Sequence, residues 1–103
     1  VLMQIPVEIA YRNLDSSPAI EDRIHQRVRK LEKLAPDLIA CRVMIEAPHG
    51  HHPQGRIYHV RVDVTVPGHE VVVSRDPGQH HAHEDLYVAI RDAFDAVERR
   101  LSD

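Results

Sequence analysis

Rings that stack on bases are scarce in this 103-residue sequence, which has no tryptophan, one phenylalanine and three tyrosines. That argues against a platform on which successive unpaired bases stack. Cysteine is nearly absent. A single Cys41 excludes an internal disulfide framework and fits a reducing compartment. No apolar run approaches the roughly 20 residues that cross a bilayer. The first residues lack the basic and apolar regions of a signal peptide. Net positive charge is lacking too: the formal charge is −3 at pH 7. A purely electrostatic nucleic-acid binder is therefore disfavoured, unless a basic stripe sits on an acidic domain. These absences leave a soluble, cytoplasmic protein with residues 1–103 in one domain. No membrane, small-molecule substrate or cofactor is expected.

What is present is periodic. Gln4 to Tyr11 alternates as a strand, with Ile5, Val7 and Ile9 on one face. Ser17 fits a helix N-cap and Pro18 the first helical position, where a missing N–H costs nothing. Ile20, Ile24, Val28, Leu31 and Ala35 then recur at helical spacing, and Pro36 ends the helix. Ile39, Cys41, Val43, Ile45 and Ala47 alternate as a second strand, which places Cys41 in the core rather than as a nucleophile. Tyr58 to Val66 forms a third strand, Pro67-Gly68-His69 a hairpin turn, and Glu70 to Ser74 a short fourth strand. The last helix carries Leu86, Ile90, Ala93, Phe94, Val97 and Leu101 on one face, with Tyr87 at its margin and by default packed in the core.

The order is β-α-β-β-β-α. A right-handed crossover makes the first two strands parallel, and hairpins add the other two. The expected fold is an α+β two-layer sandwich, a four-stranded sheet with both helices on one face. The other sheet face, with Gln4, Glu8, Arg42, Met44, Glu46, His59, Arg61, Asp63 and Thr65, should be wet.

Two segments resemble a known family. SPAIEDRIHQRVRKLEKL (17–34) and, more specifically, HEDLYVAIRDAFDAVERRL (83–101) are similar to the two helices of the ribosome hibernation-promoting factors, also called ribosome-associated inhibitor or sigma-54 modulation proteins. The strand and helix order is similar as well, a double-stranded-RNA-binding-like sandwich. The resemblance implies a non-enzymatic protein. It would bind the small ribosomal subunit in the channel used by mRNA and tRNA, contact the rRNA backbone and inhibit translation under stress. Some relatives carry a dimerisation or cold-shock domain as well, and neither is seen in this sequence.

A helical wheel at about 100° per residue places Arg23, Arg27, Lys30 and Lys33 on one flank of the first helix, away from Glu21, Asp22 and Glu32. A segregated basic flank suits phosphate oxygens. Arg27, Lys30 and Lys33 stand where the resemblance implies basic residues. Arg42 and Arg61 on the open sheet face are further candidates, as is Arg99 on the second helix. That helix is otherwise acidic outside, through Glu84, Asp85, Asp92, Asp95 and Glu98, and is expected to turn away from phosphate. Ala82 stands where relatives often have lysine. His80 and His81 are the nearby donors, with Arg12, Arg56 and Arg75 as others.

Nine histidines invite another reading. His49, His51 and His52 in one loop and His80, His81 and His83 in another should meet at one end of the sheet, where imidazoles can hold Zn²⁺ or Ni²⁺. A histidine-rich metal-binding or metal-sensing module is thus the alternative to ribosome binding, although HxHH and HHxH on Gly/Pro loops match no rigid motif. His83, Glu84 and Asp85 also fit a helix start, with acids at the positive end of the macrodipole, and offer no catalytic arrangement. A more generic reading is weak self-association through an exposed strand edge.

Overall fold

The computed structural model describes residues 6–47, 58–75 and 86–102. Six elements follow in chain order: β1 (Val7–Arg12), α1 (Pro18–Leu34), β2 (Ala40–Glu46), β3 (His59–Val66), β4 (His69–Arg75) and α2 (Leu86–Ser102). The sheet order is β1-β2-β3-β4. β1 runs parallel to β2, and β2-β3 and β3-β4 are antiparallel. This is the expected β-α-β-β-β-α sandwich.

Local chemistry sets the boundaries of α1. The Ser17 backbone is extended, and its Oγ accepts from the Ile20 N–H at 3.4 Å, with Pro18 opening the helix. Ala35 leaves helical geometry (φ −130°, ψ 83°) because Pro36 disfavours the helical region for the residue before it. The β3-β4 turn is tighter than expected. Val66 pairs directly with His69, so Pro67 and Gly68 alone make the turn and His69 belongs to β4. Proline fixes the first φ, and Gly68 takes φ 92°, a left-handed value that suits the second position of a type II turn.

Cys41, Val43 and Ile45 from β2, Val60, Val62 and Val64 from β3 and Val71 and Val73 from β4 point toward the helices. There they meet Ile24, Val28 and Leu31 of α1 and Ile90, Phe94 and Val97 of α2 in one core. Each such side chain removed from water contributes about 1.5–3 kcal/mol. Two residues depart from expectation. Ile39 belongs to the alternating apolar set yet is 50% exposed, although its N–H bonds the Thr65 carbonyl at 2.8 Å. Tyr87 is 40% exposed at the margin of α2 rather than packed in the core. Cys41 is core, as expected, and burial together with the nearby Asp63 charge pushes its thiol up to about 12.

The helices run parallel. Arg23 meets Tyr87, Arg27 meets Phe94, Asp95 and Glu98, and Lys30 meets Glu98, so the contact points advance together along both. None of the described helices is long and apolar enough to cross a membrane.

Candidate nucleic-acid interface

The packing of α1 on α2 divides the basic residues of α1 into two groups. Arg27 lies beside the buried stripe. Its guanidinium sits 5.7 Å from the centroid of the Phe94 ring. Its Nη2 is 2.7 Å from both Asp95 Oδ1 and Glu98 Oε2, and the side chain is only 14% exposed. Burial lowers the Arg27 pKa, but the bonds to Glu98 and Asp95 outweigh it and hold the pKa above its ordinary value. The Arg27 bond, partly opposed by burial, holds the Asp95 carboxyl below its ordinary value. Arg27, expected as a phosphate contact, is engaged as a clamp between the two helices. Asp95 and Glu98, expected to face away with the acidic side of α2, are turned toward α1.

The second group faces solvent. Arg29 and Lys33 are exposed one helical turn apart, on the side of α1 opposite its buried stripe. Lys30 is 63% exposed and lies 3.5 Å from Glu98 Oε1, a contact loose enough to exchange with another anion. Arg23 is exposed with its guanidinium 5.5 Å from the Tyr87 ring centroid. That cation–π contact orients the group without neutralising it. Arg29 was not among the candidates read from the sequence. Its signal was available, since it stands four residues before Lys33 and away from every buried position.

The open face of the sheet is charge-balanced rather than basic. Arg42 Nε donates to Glu8 Oε2 at 2.7 Å with both side chains well exposed. Arg61 Nε donates to Asp63 Oδ1 at 3.0 Å, and that bond holds the Arg61 pKa above its ordinary value. Arg42, Met44, Arg61 and Asp63 line a shallow depression of about 220 Å³. A phosphate arriving there must displace or share a carboxylate. On α2, Arg99 is exposed beside Leu34, Asp95, Glu98 and Ser102, at the end where both helices finish. Arg100 has a different role: its Nη1 donates to the Val72 carbonyl of β4 at 2.8 Å.

His49, His51, His52, His80, His81 and His83 lie outside the described residues, as do Arg56, Glu84 and Asp85. Among the described residues no group of His, Cys, Asp and Glu side chains is placed to hold a metal ion.

A family model described as sigma 54 modulation protein / S30EA ribosomal protein matches residues 7–103. Among solved structures, a ribosomal subunit interface protein from Coxiella burnetii superposes with a TM-score of 0.74 at 13% identity, covering 95% of this chain and 94% of its own. The N-terminal domain of Thermus thermophilus Protein Y superposes with a TM-score of 0.70 at 23% identity, covering 96% of each chain. At these identities the likeness shows a shared fold. No curated protein matches the sequence significantly.

Proposed function

Because the chain belongs to the sigma 54 modulation protein / S30EA ribosomal protein family, we propose that it binds the small ribosomal subunit through rRNA backbone contacts and inhibits translation under stress. The role is binding, not catalysis, in the cytoplasm, carried by a single domain. The observation that carries the reading is the solvent-facing basic side of α1, in a chain that matches the family model almost throughout. Arg23, Arg29, Lys30 and Lys33 are the principal phosphate contacts. Arg42, Arg61 and Arg99 are secondary, because acids stand beside each of them. His80 and His81 join the proposal on sequence alone.

Such contacts release counterions. Four phosphates neutralised by the α1 cations give a slope of about −3 in log K against log salt, so a fourfold rise in salt weakens binding by nearly two orders of magnitude. The test is co-sedimentation with purified small subunits over a salt series. The protein should pellet at low salt and be released as salt rises. Protein wholly in the supernatant at low salt would refute the reading.

A further inference from the structure

The sheet has two edges, and the chain treats them differently. At the β4 edge, Arg100 reaches over from α2 and occupies the Val72 carbonyl at 2.8 Å. At the other edge, among the described residues, β1 pairs with β2 alone. Pro6 O accepts from Cys41 N at 3.1 Å and Arg12 O from Ala47 N at 3.0 Å, so the even-numbered positions of β1 turn their backbone groups toward β2. By alternation Val7, Ile9 and Tyr11 aim their N–H and C=O groups outward. Their side chains are half-buried, whereas their β2 neighbours Cys41, Val43 and Ile45 are at most 2% exposed. An outer strand that aims backbone groups away from its sheet beside a half-covered apolar row is a template for another strand.

We infer that this edge pairs with β1 of a second copy of the chain, antiparallel about a twofold axis at Ala10, joining two sheets into one. The argument is the complementarity of VEIAYR with itself. In that register Ile9 stands opposite Tyr11 of the second copy, and Tyr11 opposite its Ile9. Both residues of each pair face outward, so each pair exchanges two backbone hydrogen bonds. The side chains form aromatic–β-branched cross-strand pairs on the helix side, the combination that strengthens ladders. On the open face Glu8 stands opposite Arg12 of the second copy, twice by symmetry. These are non-hydrogen-bonded positions, where Cα atoms approach to about 4.5 Å. Glu8 already holds Arg42 at 2.7 Å in an exposed pair, and the second copy's Arg12 makes it a three-membered network.

The neighbouring registers lack the Glu8–Arg12 charge match. Centring on Ile9 sets Glu8 against Ala10. Centring on Glu8 sets two carboxylates face to face. Asn13, at φ 61°, has turned out of the strand; in the Ala10 register that costs only the outer Val7 pair, whereas centring on Tyr11 sets Ile9 against Asn13 and Ala10 against Arg12. Tyr11 is also held in place, its hydroxyl 3.4 Å from Glu21 Oε2 of α1.

The test is sedimentation equilibrium of the full chain over a wide concentration range, on wild type, Glu8→Arg and the swapped Glu8→Arg/Arg12→Glu. Thermal melts confirm that each variant is folded. The expected result is weak reversible dimerisation of wild type. Glu8→Arg should weaken it at least tenfold, by setting arginine against arginine, and the swap should recover most of the loss. Wild type that stays monomeric at every concentration overturns the inference. Dimerisation indifferent to Glu8→Arg, or lost in that variant and not recovered by the swap, overturns the Ala10-centred pairing.

Discussion

Cations on the two sides of α1 meet opposite surroundings. Arg27, on the α2 side, is enclosed by a ring and two carboxylates and is 14% exposed. Arg29 and Lys33, on the outer side, stand in water. A cation held between carboxylates of the neighbouring helix stabilises the fold; the same cation in water is available to a ligand. A basic flank therefore marks a binding surface only after the neighbouring helix has taken its share.

The comparison breaks most visibly if the outer side is reversed. The double substitution Arg29→Glu and Lys33→Glu should weaken small-subunit binding by about 100-fold or more, because two attractive phosphate contacts become repulsive. Its unfolding free energy should move by no more than about 0.5 kcal/mol, the usual range for exposed sites. Chemical denaturation and subunit pelleting on the same preparation check both halves.

Next in size is the inner side. Arg27→Ala removes the contact with Phe94 and leaves Asp95 and Glu98 without their shared partner. A loss of about 2 kcal/mol is expected, between values for exposed and buried pairs. In a domain this small that lowers the melting temperature by roughly 10 °C. A variant as stable as wild type would show that the clamp contributes nothing net.

Acid sharpens the same contrast. Asp95 has a lowered folded-state pKa, so its contribution is complete above the ordinary value of 3.8 and is lost as pH falls through the lower folded value. Wild type should exceed Asp95→Asn in stability at pH 7. The gap should close as pH falls below 3.8. A gap that does not change with pH would assign it to something other than the charge. The smallest effect is expected on the open sheet face. There Arg42→Gln and Arg61→Gln together should weaken subunit binding only severalfold, since both arginines are already paired with acids.

The fold was legible because its signals are local. Ser17 and Pro18 open α1, Pro36 closes it, and valines at every second position of β3 name the buried face. The candidate site was legible only in part. A helical wheel orders residues around one helix and says nothing about which helix lies alongside. Arg27 meets acids 68 and 71 positions away, and only the parallel packing of α1 on α2 brings them together. Ile39 shows the same limit: alternation set it with the buried residues of β2, yet it lies just before the strand and is half exposed. The basic flank on the wheel mixes Arg27, which α2 covers, with the exposed Lys33, whereas Arg29 stands opposite the apolar stripe.

The division of α1 into an inner clamp and an outer binding side is tested most directly by the salt dependence of small-subunit affinity. Wild type, Arg29→Gln/Lys33→Gln and Arg27→Met belong in one series. The outer-side pair should make the slope of log K against log salt shallower by about 1.4 to 1.8, as expected when two phosphate contacts are lost. Arg27→Met should leave the slope unchanged while lowering stability. A slope that falls with Arg27→Met and holds with the outer-side pair would contradict the account.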